Sequence, residues 1–217
     1  GVAGIPGRPM HFVITGGLGY IGSRIAQRLV VDRHQVTLLD NSATSVVNTV
    51  EGTELLQVDL GNLNAIEALD LAPADGLLHL AGPSSGPASA KDPVGTISAG
   101  YGVTFNALHL ADRLGVKRVI NASSMTVYGN VTPEQNPVKE ELRCLPISHY
   151  AVGKFANERL VEIFCRDRGI AYNHLRMFNI YGEGQDLTRM DQGLVSIFVA
   201  MLLKSSKIVS RGSLDRY

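Results

Sequence analysis

Thr15-Gly16-Gly17-Leu18-Gly19-Tyr20-Ile21-Gly22 is the stretch on which the reading of this chain turns. Before it, Met10–Thr15 is a short apolar run that reads as a buried strand. After it, Tyr20–Val31 repeats apolar residues at helical spacing, with Ile21, Ile25 and Leu29 on one face. A glycine cluster between a strand and a helix lets the backbone turn tightly and come close to a pyrophosphate. The helix N-terminus offers unpaired N–H groups and the positive end of its dipole. The spacing fits GxGxxG (Gly17, Gly19, Gly22) and GxxGxxG (Gly16, Gly19, Gly22) alike. Alone it is weak, because an ordinary strand-to-helix turn also uses glycine.

Asp40 adds weight. It ends the next predicted strand, Gln35–Asp40, near the offset of roughly 20 residues expected of a ribose-binding acid. A carboxylate there accepts hydrogen bonds from ribose hydroxyls and repels a 2′-phosphate. Asn41 and Ser42 follow it, with no Arg, so the expected dinucleotide is NAD rather than NADP. Asp59 stands at the same edge, after the third strand. It fits a contact to the adenine amino group and a solvated loop aspartate equally well.

The rest of the chain alternates. Strands are predicted over Glu54–Val58, Gly76–Ala81, Lys117–Ala122 and Ala171–Met177, and helices over Asn62–Leu69, Val94–Leu114 and His149–Arg168. Strands alternating with helices predict a parallel sheet covered on both faces, and right-handed crossovers make it the doubly wound α/β Rossmann fold. The expected division is a flexible lead over 1–9, a dinucleotide-binding domain over 10–177, and the beginning of a small C-terminal substrate region over 178–217. That last part holds a glycine-bearing loop (Asn179–Gln185), an apolar helix (Gly193–Leu203) and a short strand (Ile208–Ser210).

Composition narrows the function classes. The chain has 217 residues, 45% of them hydrophobic, enough for one domain with a buried core. Twenty Lys plus Arg balance twenty Asp plus Glu, so charge points to neither nucleic acid nor an anionic membrane. Trp is absent and aromatics are 6%, which argues against a base-stacking platform. Cys144 and Cys165 match no metal or redox spacing and read as free thiols of a reducing cytoplasm, so no metal is expected. No apolar run has the length of a bilayer span, and Gly1–Pro9 has no signal-peptide core.

Tyr150 and Lys154 form Tyr-x-x-x-Lys, which places both on one face of a helix. A tyrosine hydroxyl, with a pKa of about 10, is a poor base until nearby positive charge favours its phenolate. The ammonium of Lys154 and a cationic nicotinamide would both do so. By chance this pair is common; behind a dinucleotide-binding half it gains weight. The fifth strand runs into Ser123-Ser124-Met125-Thr126-Val127-Tyr128-Gly129. A serine there would lie beside the tyrosine, where its hydroxyl can share the proton of a substrate alcohol. Without Tyr150, the same serines would read as turn chemistry.

Together these residues resemble the extended short-chain dehydrogenase/reductase family, and within it the NAD-dependent nucleotide-sugar epimerases of the UDP-glucose 4-epimerase kind. The resemblance rests on residues 15–22, Leu-Asp-Asn (39–41), Val-Asp-Leu (58–60), His-Leu-Ala-Gly (79–82), residues 123–129, Tyr-Ala-Val-Gly-Lys (150–154) and Leu-Arg-Met-Phe-Asn-Ile-Tyr-Gly (175–182). It implies Ser124, Tyr150 and Lys154 as the catalytic set. It implies Gly16, Gly19, Tyr20, Ile21, Gly22, Asp40, Asn41, Asp59, Leu60, Leu80, Ala81, Gly82, Tyr150, Lys154 and Phe178 around NAD. Ser124, Tyr150 and Asn179 would meet the nucleotide-sugar, expected to be a UDP-sugar. Dehydratases of the family carry Asp-Glu after the catalytic hydroxyl residue, and its decarboxylases keep a Glu in that segment. Met125 and Thr126 stand there in this chain, which favours C4 epimerisation, an isomerase reaction.

The alternatives are a sugar-nucleotide reductase or dehydrogenase with net NAD turnover, and a non-catalytic dinucleotide sensor. Sensors of that kind typically lack the Tyr-x-x-x-Lys pair. The resemblance also implies a homodimer through the helices Val94–Leu114 and His149–Arg168. Three features depart from the family pattern. Gly100 and Val103 replace an Asn and a Gly ahead of Thr104 and Asn106, Pro83–Pro87 is an atypical loop, and the chain stops where members continue, so a longer parent protein is expected.

Overall fold

The structure, a computed structural model, describes residues 8–188 and 194–205. Six strands among them form one parallel sheet: β1 (His11–Thr15), β2 (Gln35–Asp40), β3 (Glu54–Gln57), β4 (Gly76–His79), β5 (Arg118–Ser124) and β6 (Ala171–Met177). Their order is β3-β2-β1-β4-β5-β6, the doubly wound order expected. The helices are α1 (Tyr20–Val31), α2 (Leu63–Glu67), α3 (Gly86–Lys91), α4 (Pro93–Arg113), α5 (His149–Asp167) and α6 (Leu194–Ser205).

The inner strands β1, β2 and β4 are buried on both sides because both sides are covered. Val13, Leu39, Leu77 and Val119 point to one face, where Ala107, Leu108 and Ala111 of α4 and Val161 and Cys165 of α5 meet them. Their neighbours Ile14, Leu38 and Leu78 point to the other face, against Ala26 of α1, Leu18 and Val50. Alternation along each strand therefore builds two cores from one run. Full burial of each large aliphatic side chain contributes about 1.5–3 kcal/mol.

Side-chain caps fix the helix starts. Asn62, Ser85, Asp92 and Ser148 accept from the backbone N–H of Ala65, Ala88, Gly95 and Ala151, opening α2, α3, α4 and α5. The short helix α3 falls in a stretch that sequence reading leaves as a loop, because Gly86 and Pro87 hide it. β4 ends at His79, two residues before the expected Ala81, because the N–H groups of Leu80 and Ala81 turn to Thr15 Oγ1 at 3.1 and 3.3 Å. β5 runs on to Ser124 rather than stopping at Ala122, since β6 pairs with it through Met177. α2 is shorter than Asn62–Leu69, and α6 spans Leu194–Ser205 where Gly193–Leu203 is expected. The expected strand Ile208–Ser210 lies outside the described residues.

Strand order reverses direction between β1 and β4. The connections that leave their carboxyl ends part there, which is where a doubly wound fold places its binding crevice.

Candidate active site

The crevice is walled by the glycine loop on one side and by Leu80–Gly82 on the other. Gly16 sits at φ +69°, a left-handed conformation, and a Cβ there would lie 2.9 Å from the backbone nitrogen of Ala81. Its N–H donates to Leu39 O at 2.8 Å. A Cβ on Gly22 would collide with the Gly16 carbonyl, so only glycine lets α1 start this close to the loop. No side chain caps α1 at Gly19. The Gly19 N–H turns back to the Gly16 carbonyl at 3.2 Å, and the helix start beyond it suits an anionic pyrophosphate.

Asp40 is 7% exposed and holds this loop in place. Oδ2 accepts from Leu18 N at 3.0 Å, while Oδ1 accepts from Ser42 N at 2.8 Å and Ser45 Oγ at 3.4 Å. A carboxylate offers about four lone-pair sites, so one is left for a ribose hydroxyl. Asn41 is exposed and folds its side chain onto Ala43 N. Asp59 is exposed, its Oδ1 accepting from Gly61 N at 2.8 Å. Leu60 is buried and its carbonyl accepts from Asn106 Nδ2 at 2.7 Å.

Tyr150 and Lys154 stand on the first turns of α5, one turn apart, and line a cavity of about 380 Å³ that includes open solvent at its mouth. His79, Ala81, Gly82, Gly100 and Asn157 also line it. Lys154 Nζ donates to Ala122 O at 3.1 Å and lies 5.8 Å from the centre of the Tyr150 ring. Burial pushes the Lys154 pKa down to about 8. Burial also pushes the Tyr150 hydroxyl up from its ordinary value, and a hydrogen bond with Ser124 opposes it. Sequence reading expects the Lys154 ammonium and a cationic nicotinamide together to favour the phenolate; within the protein itself, desolvation is the leading influence on Tyr150. Ser124, 9% exposed, closes β5 beside them.

Phe178 and Asn179 do not join this group. Both are exposed on the segment after β6, outside the cavity wall. That segment turns toward α1, where Arg24 Nη2 donates to Glu183 O at 2.7 Å.

Two buried networks behind the site escaped sequence reading. In the first, Thr104 Oγ1 donates to Gly100 O at 2.8 Å, so it must accept from His79 Nε2 at 3.1 Å. Thr15 Oγ1 accepts from the N–H groups of Leu80 and Ala81 at 3.1 and 3.3 Å, so its one hydrogen goes to His79 Nδ1 at 2.8 Å. His79 is consequently neutral, and burial with the nearby Lys154 charge pushes its pKa down to about 3. Asn157 of α5 donates to the same Gly100 carbonyl at 3.3 Å. The chain thereby ties α5, α4, β4 and β1 together beneath the crevice. Gly100 lacks a side chain where the family pattern has Asn, and Asn157 brings an amide to that place from the neighbouring helix.

In the second network, Ser123 donates to Glu158, which is 2% exposed and takes Arg176 in a forked pair (2.8 Å from Nη2, 3.0 Å from Nε). Burial raises the Glu158 pKa, but the hydrogen bonds from Arg176 and Ser123 outweigh it and hold the net value below the usual carboxylate range. Arg176 also donates to Tyr128 OH at 3.1 Å, fixing the turn that follows Ser124. The only sequence signal was a Glu on the inner face of α5 and an Arg in β6. Among the described residues, no group of three or more His, Cys, Asp or Glu is arranged to hold a metal.

Residues 12–216 match the model of the NAD dependent epimerase/dehydratase family. The chain belongs to that family. Its cofactor is NAD, and the glycine cradle and uncapped start of α1 fit it. A putative UDP-glucose 4-epimerase of Methanocaldococcus jannaschii is 30% identical over 92% of this chain and 65% of its own length. UDP-glucuronic acid decarboxylase 1 of Xenopus tropicalis is 32% identical over 94% of this chain and 48% of its own. The structure of Thermus thermophilus UDP-glucose 4-epimerase in complex with NAD superposes with a TM-score of 0.83 and 30% identity, over 90% of this chain and 63% of that one. The chain thus spans 48% to 65% of the length of these relatives.

Proposed function

We propose that this chain carries the cofactor and catalytic half of an NAD-dependent nucleotide-sugar 4-epimerase acting on a UDP-hexose. The observation that carries the reading is Tyr150 beside Ser124 and Lys154 at the open end of the dinucleotide crevice, with Met125 and Thr126 where an acid pair would serve elimination. Family membership and the epimerase names of the relatives support it. The decarboxylase relative marks the nearest competing chemistry.

Residues 10–177 form the cofactor domain and 178 onward the side facing the sugar. Gly16, Gly19 and Gly22 with the start of α1 (Tyr20, Ile21) cradle the pyrophosphate. Asp40 and Asn41 meet the adenosine ribose, Asp59 and Leu60 the adenine, and Leu80–Gly82 and Phe178 the rest of the dinucleotide. Lys154 holds the nicotinamide ribose. Bound there, NAD would supply the two-electron acceptor and donor that oxidation and re-reduction at C4 require. Tyr150 as phenolate takes the proton of the sugar 4-hydroxyl and gives it back to the 4-keto oxygen, with Ser124 alongside and Asn179 on the substrate side. Proton transfer by a placed side chain contributes about 10²–10⁴-fold; orientation contributes much of the rest.

A homodimer through the outer faces of α4 and α5 fits the exposed Tyr101, Phe105, Val152 and Ile163. No described helix is long and apolar enough to cross a membrane. The free Cys144 and Cys165 suit a reducing cytoplasm.

The test is product analysis with UDP-glucose, UDP-galactose and UDP-glucuronate. Interconversion of the first two without net NADH supports the proposal. Net NADH makes the protein a dehydrogenase, release of carbon dioxide from UDP-glucuronate makes it a decarboxylase, and inertness across a sugar panel with NAD bound makes it a sensor.

A further inference from the structure

A serine hydroxyl has two lone pairs and one hydrogen to place. Ser124 Oγ accepts from Thr126 Oγ1 at 3.0 Å and from Thr126 N at 3.3 Å. Both lone pairs are taken by a residue two positions on, in the short 3-10 turn Met125–Tyr128 that Ser124 caps. The hydrogen remains, and Ser124 lies near enough to the Tyr150 phenol to hold its pKa down against burial. We propose that Thr126 fixes the direction of this hydroxyl, so that Ser124 donates to the phenol oxygen of Tyr150 and does not itself receive the substrate's proton.

The inference rests on the reading of Tyr150 as the base. The sugar O–H bond then breaks directly toward Tyr150, and the Tyr150 O–H bond forms while that oxygen still accepts from Ser124. On the return half, the same proton goes back to the sugar oxygen. Thr126 touches neither sugar nor cofactor in this scheme; it is a positioning residue acting through Ser124. Without its hydroxyl, Ser124 regains a lone pair and can turn to accept from the neutral phenol, which favours the protonated form. The other titratable groups on the same cavity are Lys154, from the helix of Tyr150, and His79, from β4.

The experiment is an ultraviolet difference titration of the NAD-loaded protein against its Tyr150→Phe form, which isolates this one phenol. Thr126→Val, nearly the same size, is expected to raise the ionisation midpoint by about one pH unit, the scale of one charge-assisted hydrogen bond. Thr126→Ser keeps a hydroxyl and is expected to restore the midpoint. In the epimerase assay, Thr126→Val loses about tenfold near neutral pH and recovers above its raised midpoint. A midpoint unchanged in Thr126→Val, or a loss equal at every pH, overturns the proposal. The titration needs no turnover. A shifted midpoint in a protein without epimerase activity would therefore uphold the role of Thr126 and sink the reaction.

Discussion

The two ends of the cofactor crevice are built on opposite principles. At the phosphate end, Gly16 and Gly22 shape a tight turn and Asp40 holds it through hydrogen bonds from Leu18 and Ser42, while no side chain caps the start of α1. At the reaction end, Tyr150 and Lys154 are both held away from their ordinary protonation behaviour by burial, the phenol pushed up and the ammonium down to about 8. Binding is done by backbone shape, which needs no unusual state. In the proposed reaction, catalysis falls to titratable groups kept in an unfavourable setting until cofactor and substrate arrive, with Ser124, His79 and the Glu158 pair around them.

The widest gap between the ends is expected from Tyr150→Phe. It leaves NAD binding intact and lowers kcat by about 10²–10⁴-fold or more, read by sugar interconversion and by NAD titration on one sample. Loss of both together would break the division. Glu158→Gln comes next. It strips the charge opposite Arg176 and is expected to lower folding stability by about 2–3 kcal/mol, discounted from a fully buried pair because Arg176 is partly exposed. The folded-state pKa of Glu158 lies below the unfolded value, so its stabilisation is present above the unfolded carboxyl pKa and fades as pH falls through the folded one. Denaturant melts against pH should show that acid-side loss in the parent and its absence in Glu158→Gln.

Gly22→Ala reports on the other end. Its Cβ meets the Gly16 carbonyl, so NAD affinity should fall about tenfold or more, with kcat recovering at saturating NAD. Unchanged affinity would contradict the cradle. Lys154→Met tests the reaction end once more, in the cofactor-free protein. A lysine whose folded pKa is lowered costs stability at pH below about 8, a cost that vanishes as pH rises from there toward the unfolded value. The rise in stability over that window should disappear in the variant.

The same contrast explains what the sequence alone makes legible. The glycine loop, Asp40 and the Tyr150–Lys154 pair are read from local spacing: a turn, the next strand end, one helical turn. Strand order follows from alternation and handedness. The supports of the reaction end join residues distant in sequence. His79 meets Thr15 and Thr104, and Asn157 meets Gly100, through contacts that span three strand–helix units. No periodicity announces them, since each is a single polar residue on an otherwise apolar face. Helix α3 was hidden differently: Gly86 and Pro87 argue for a loop, and only the cap at Ser85 reveals a helix start. Phe178 and Asn179 were placed by resemblance, and the structure leaves both exposed outside the cavity wall.

The central claim is that the C4 hydrogen leaves the sugar and comes back within one site while Tyr150 handles the accompanying proton. Incubation with UDP-glucose deuterated at C4 tests it most directly. The account predicts UDP-galactose that keeps the deuterium at C4, with none in solvent and no net NADH, and no conversion by Tyr150→Phe. Deuterium lost to water, NADH accumulating with turnover, or an active Tyr150→Phe variant would contradict it.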